Sequence, residues 1–192
     1  MIKFFKQDPL HIEKIWGGSK LAPEHSGLEP IGESWQVACL PEGSSTISGE
    51  ALWDKYGSAG GLNFLIKLID TSDNLSVQVH PDDLLAEEFE NSRGKTECWY
   101  ILDSEKDAKI YLGLKPNVSM SDFQKAIENQ ENVQSLMNCI EALKGRFVYV
   151  PAGLVHAIGS GVTLIEVQQS SGITYRLWDW NRVGVDLSLI HI

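Results

Sequence analysis

Gln78 and His80 stand two residues apart in the run SVQVHPDD, residues 76–83. On a strand, positions two apart project from one face, so these side chains emerge together while Val77 and Val79 pack on the other side. The pair offers an amide oxygen and an imidazole nitrogen to a single ion, although ordinary strands carry such pairs too. A second histidine is placed more specifically. In GRFVYVPAGLVHAIGS, residues 145–160, Gly145, Pro151, Gly153 and His156 follow the spacing G-x5-P-x-G-x2-H. That pattern reads as a strand running into a Pro-x-Gly turn, which reverses the chain and presents His156 at the start of the next strand.

The spacing resembles the second motif of the cupin family, in which that histidine binds a metal. The first cupin motif is matched in altered form: Gln78 takes a position where cupins usually carry histidine, and the glutamate falls further along the chain. It is best sought in GKTECWYIL, residues 94–102, where Glu97 sits on an otherwise apolar strand. Burying an acid there is costly without a cation, and a metal ion would remove that cost. Cys98, on the alternate face, reads as a core thiol. Gln78, His80, Glu97 and His156 together supply two oxygens and two nitrogens and no thiolate. That set suits Zn²⁺ and leaves Mn, Fe and Co open, with a water or a substrate oxygen to complete the shell.

Three cations lie near these residues in sequence. Lys67 interrupts the apolar run FLIKLID, Lys95 shares the face of Glu97, and Arg176 lies in ITYRLWDW. Collected around one pocket, they would hold a phosphate or an anionic transition state. Such local gathering is necessary because the formal net charge is -10. The same charge argues against nucleic acid and anionic membranes as partners.

The elements that must position these groups are mostly strands. Short runs such as SWQVACL, FLIKLID, ECWYIL, KIYLGL, VTLIEVQQ and TYRLWDW are rich in β-branched and aromatic residues and bounded by turn formers. They predict a mainly β protein, a jelly-roll or similar small barrel. Residues 119–143 differ: Phe123, Ile127, Val133, Leu136 and Ile140 recur at roughly helical intervals, and Ser121 with Gln124 resembles a capping box. One or two inserted helices are expected there, with shorter ones in PDDLLAEEFEN and EALWDKYG. The chain of 192 residues, 43% hydrophobic, is long enough to bury one core. Its three cysteines are widely spaced, which points to reduced, buried thiols. With neither a signal peptide pattern nor a long apolar run, a soluble cytoplasmic protein is expected, as a monomer or a homodimer.

Taken together, KIWGGSKL, IGESWQVACLPEGSS, FLIKLID, LSVQVHPDD, GKTECWYIL, GRFVYVPAGLVHAIGSG and LIEVQQSSGITYRLWDWNR resemble the type I mannose-6-phosphate isomerases, particularly their short bacterial form. The resemblance implies a cupin/jelly-roll barrel and a zinc-dependent aldose–ketose isomerase interconverting mannose 6-phosphate and fructose 6-phosphate through an enediol. It implies one Zn²⁺ per chain on Gln78, His80, Glu97 and His156, and a catalytic role for Arg176. Lys95 and Glu166 are the candidates for proton transfer, and Lys67, Glu33 and Trp16 match substrate-pocket positions. Two departures stand out. Gly94 replaces a histidine that the longer forms carry, and Gly172 replaces an aspartate found four residues before the arginine in many short forms. By the same resemblance, residues 1–186 are an incomplete N-terminal catalytic domain and a second, C-terminal β domain is absent. Residues 187–192, LSLIHI, match the translation of a transposon end used in sequencing libraries and are expected to be non-native. Two other functions remain alternatives: an iron-dependent cupin oxygenase, against which Gln78 speaks, and a non-catalytic sugar-binding cupin, which the retained cations disfavour.

Overall fold

The computed structural model describes residues 6–182, so the tail 187–192 lies outside the described residues. Two antiparallel sheets carry the fold. The first has six strands in the order Phe147–Val150, Glu97–Ser104, Val162–Gln169, Phe64–Asp70, Ile31–Val37 and Leu10–Glu13. The second has five: Met137–Glu141, Lys109–Leu114, His156–Ile158, Val77–Val79 and Tyr175–Trp178. The expected mainly β, cupin-like architecture is therefore present, and every run singled out as a strand forms one.

Alternation along the strands sorts side chains between the layers. Trp99, Ile101, Val148 and Leu164 from the first sheet meet Ile110 and Ile158 from the second in one buried core. The intervening residues of the second sheet, Tyr111, Val77 and Ala157, face the other way and pack under Phe123, Ala126 and Val133. The second sheet is thus buried on both faces, which accounts for its continuous apolar runs. The first sheet leaves Tyr100, Phe147 and Tyr149 exposed on its outer face.

The inserted segment departs from expectation in two details. Helix Met120–Glu128 forms, followed by a 3-10 turn at Val133–Leu136, but Met137–Glu141 is a strand whose Ile140 pairs with Ile110. Spacings of three and four residues do not separate a helix from a turn leading into a strand. The unpaired edge of Lys109–Leu114 supplies the backbone partners that decide it. The capping box also sits two residues earlier than expected: Asp122 N–H donates to Ser119 Oγ at 3.1 Å and Ser119 N–H donates to Asp122 Oδ2 at 3.0 Å. Aspartate at the third helical position does the work usually given to glutamate. Helices Asp83–Glu90 and Leu52–Tyr56 lie where short helices were expected, the former capped by Asp82. Cys39 is buried as expected, but Cys98 is half-buried on the outer face of the first sheet and Cys139 is exposed. No helix among the described residues is long and apolar enough to cross a membrane.

Candidate metal centre

Two rows of polar side chains face one another across the layers. In the first sheet, cross-strand register aligns Trp99, Glu166, Lys67 and Trp35 on adjacent strands. In the second, it aligns His156, Gln78 and Arg176. Glu97 lies two residues before Trp99 and hence on the same inner face. His80 follows the end of its strand, where its carbonyl accepts Gly153 N–H at 2.8 Å. Gly153 adopts φ +82 in the turn closed by Leu154 N–H to Pro151 O, a conformation that glycine takes without strain. The Pro-x-Gly turn therefore fixes His156 on one side and His80 on the other.

His80, Glu97 and His156 bring their donor atoms within 4.8 Å of one another. His156 Nε2 lies 3.3 Å from Glu97 Oε1, and His80 Nε2 lies 3.5 Å from Glu97 Oε2. Each histidine has its other nitrogen against a backbone carbonyl: His80 Nδ1 at 3.1 Å from Ile173 O, and His156 Nδ1 at 2.8 Å from Leu154 O. A carbonyl only accepts, so Nδ1 carries the proton in both rings and Nε2 presents its lone pair to the cluster. Burial holds both imidazoles neutral. It pushes His156 down to about 4, and with the nearby Lys95 charge it drives His80 far below the usual histidine range.

Glu97 is 2% exposed, and neither of its carboxylate oxygens receives a well-aligned hydrogen bond, even though Lys95 Nζ stands 3.0 Å from Oε2. Burial, reinforced by the charge of Glu166, pushes its pKa up to about 7. Two neutral imidazole lone pairs converging on an under-satisfied buried carboxylate fit a divalent metal ion. Gln78 completes the set, its amide 3.4 Å from His156 Nε2; a half-turn of that amide exchanges nitrogen for oxygen. All four residues proposed from sequence as metal ligands are thus brought together.

Protonation of Glu97 opposes metal binding, and the sign follows directly. Above about 7 the carboxylate is already ionised; below it, each bound ion must displace a proton. Divalent-metal affinity should therefore fall roughly tenfold per pH unit below that point, and more steeply once His156 also takes a proton. Equilibrium Zn²⁺ titrations from about pH 8 to about pH 5 check this, and an affinity that stayed flat would contradict it.

Above the cluster lies a cavity of about 330 Å³ lined by Lys14, Trp16, Glu33, Lys67, Gln78, Lys95, Glu166 and Arg176, among others. A wider depression beside Tyr111, Lys115 and Gln134 is remote from these groups. Lys67 is buried between two acids, its Nζ 3.3 Å from Glu33 Oε2 and 3.3 Å from Glu166 Oε1, and it stacks 5.2 Å above the Trp35 ring. Burial alone would depress its pKa, but Glu166 and Glu33 together raise it, so the lysine is charged. Burial would likewise raise Glu33, yet Lys67, Lys14 and a hydrogen bond from Trp35 bring it down to about 2. Glu166 also accepts from Trp99 Nε1 at 3.0 Å. Arg176 Nε is buried without a partner, a donor available to a bound anion.

Lys14, Trp35, Glu42 and Thr174 also line this cavity and were not identified from the sequence. Only Trp35 left a signal there, two residues from Glu33 and hence on its face. The two glycine departures meet different neighbours. A Cβ at Gly94 would lie 2.4 Å from the Asp82 carbonyl carbon, so no larger residue fits without moving backbone. At Gly172 the obstacle is the carboxylate of Glu42.

A sandwich of this topology with a buried His–Glu–His cluster is a cupin with a metal-capable centre. Residues 41–126 match the family model for the phosphomannose isomerase type I catalytic domain. Mannose-6-phosphate isomerase ManA of Bacillus subtilis is 38% identical over 93% of the chain, and the mannose-6-phosphate isomerase of Streptococcus mutans is 37% identical over 93%. The crystal structure of the mannose 6-phosphate isomerase from Bacillus subtilis superposes on 94% of the chain with TM-score 0.83 and 34% identity. The chain spans 61% of the length of both sequence relatives and 62% of the crystallised chain. Over most of its length the chain is thus similar to these bacterial mannose-6-phosphate isomerases, and residues 41–126 to the type I catalytic-domain model.

Proposed function

We infer that the protein is a zinc-dependent aldose–ketose isomerase acting on mannose 6-phosphate and fructose 6-phosphate, with residues 1–186 as its catalytic domain. The observation that carries this reading is one cavity lined by Lys14, Lys67, Lys95 and Arg176 that adjoins the His80, Glu97 and His156 cluster through Gln78 and Lys95, in an otherwise acidic protein. A sugar phosphate needs both parts: cations for the phosphate, and charge stabilisation where the sugar oxygens become negative.

His80, Glu97, His156 and Gln78 would hold the zinc ion, which when bound supplies Lewis acidity toward sugar oxygens. The remaining chemistry belongs to the side chains. Arg176, with its free Nε–H, stabilises the anionic oxygen of the enediol. Lys67, fixed by Glu33 and Glu166, keeps a positive charge on the cavity wall. Lys95 and Glu166, which both line the cavity, are the candidates to carry a proton between C1 and C2. Trp16 and Trp35 exclude water from the wall they cover.

The test combines metal analysis of the purified protein with an interconversion assay. Stoichiometric zinc, with turnover lost on chelation and restored by zinc, is the expected result. Iron with oxygen consumption would replace this reading by an oxygenase, and sugar-phosphate binding without turnover by a non-catalytic binder.

A further inference from the structure

The acids around the cavity are not equivalent. Glu33, Glu97 and Glu166 are shielded from solvent, and each lies within 3.3 Å of a lysine ammonium. Glu42 also lines the cavity but is exposed, and it makes no ion pair or hydrogen bond among the described residues. It sits at the tip of the hairpin formed by Cys39–Leu40 and Gly43–Ser44, with Pro41 beside it in the turn.

Gly172 stands directly against it. A Cβ at position 172 would fall 2.4 Å from Glu42 Oε1 and 3.4 Å from its Cδ. Gly172 does not have the positive φ that explains Gly153 and Gly161. The near neighbour at this position is the end of a flexible side chain and not backbone, so Gly172 leaves the space that the Glu42 carboxylate occupies. Gly172 also belongs to the loop whose Ile173 carbonyl orients His80 and which leads into Arg176. Glu42 thus lies at the cavity wall over Gly172, its carboxylate in the space that a Cβ there would take.

We propose that Glu42 is a substrate-contacting residue that accepts hydrogen bonds from sugar hydroxyls at the mouth of the cavity, and that Gly172 leaves the room its carboxylate needs. The assignment rests on the sugar-phosphate function inferred above. Lys14, Lys67, Lys95 and Arg176 can satisfy phosphate and oxyanion, but hydroxyls need acceptors. Glu33 and Glu166 pair with Lys67 and Glu97 belongs to the metal-capable cluster, whereas Glu42 stands exposed at the mouth with no ion pair or hydrogen bond among the described residues. Its charge also repels phosphate, which assigns it to the sugar end of the substrate. A charge-assisted acceptor of this kind discriminates strongly against ligands that lack the hydroxyl.

Trp16 and Trp35 line the cavity, so intrinsic fluorescence is the readout for binding, with isothermal calorimetry beside it. Mannose 6-phosphate and inorganic phosphate would be titrated into the zinc-loaded wild type, Glu42→Ala, Gly172→Ala and the double variant. The new methyl group in Gly172→Ala meets only the end of a flexible side chain, so that variant displaces Glu42 and leaves the backbone in place. Each single variant should bind mannose 6-phosphate about tenfold more weakly, and the double variant no more weakly than Glu42→Ala. None of the variants should bind inorganic phosphate more weakly than the wild type. Wild-type affinity in Glu42→Ala, additive losses, or an equal loss for inorganic phosphate would each overturn the assignment. A wild type that bound mannose 6-phosphate no more tightly than inorganic phosphate would instead overturn the sugar-phosphate function itself.

Discussion

Glu97→Gln should lower divalent-metal affinity by more than about a hundredfold and, on the proposed function, abolish isomerase turnover while leaving the fold intact. Changing a partner that only orients a ligand already costs about tenfold to a hundredfold, and Glu97 supplies a donor atom. The amide is nearly isosteric with the carboxylate, so the walls around this 2% exposed side chain need not move. It removes a charge that burial and Glu166 disfavour but leaves the buried Lys95 without the carboxylate it had at 3.0 Å, so the metal-free variant should differ little in stability from the wild type. Calorimetric zinc titration, paired with a thermal melt of the metal-free protein, separates the two effects. A variant that bound one zinc ion with unchanged affinity would remove Glu97 from the ligand set.

Lys67→Met should destabilise the protein by about 3–5 kcal/mol at neutral pH, because it leaves two buried carboxylates facing an uncharged side chain. Lys67, Glu33 and Glu166 have side chains only 10%, 12% and 5% exposed, so solvent screens their interaction little. The pH dependence carries a sign that identifies the cause. In the wild type Glu33 is depressed to about 2, so its stabilising contribution is present above its ordinary value of 4.5 and lost as pH falls through about 2. Without Lys67 the burial of Glu33 is less compensated, and its folded pKa shifts back upward. The folded variant then takes up its proton more readily than the wild type does. The stability gap should consequently narrow as pH is lowered from about 7 to about 5, as read from urea unfolding midpoints. A gap that stayed constant would point to lost packing against Trp35 in place of lost charge.

The metal-capable cluster was legible in the sequence because its members obey short-range rules. Gln78 and His80 share a face by strand alternation, His156 follows a turn with a fixed glycine requirement, and Glu97 is an acid on an apolar strand. The jelly-roll class was legible for the same reason, since alternation and turn residues act over a few positions. What escaped depends on register between distant strands. Lys14 reaches the site because it pairs with Glu33 at 3.3 Å. Glu42 meets Gly172 across 130 positions of sequence, which no local pattern encodes. Met137–Glu141 was expected to be helical because its apolar spacing is ambiguous, and an open sheet edge decided the matter.

The candidate ligands Gln78, His80, Glu97 and His156 come from segments that meet only when both sheets have formed and closed. Neither layer alone can assemble the set, so an ion bound there would act as a clasp between them. Its occupancy would then report the closing of the whole sandwich, with metal removal felt as a loss of global cooperativity and not as a local loosening around the two histidines.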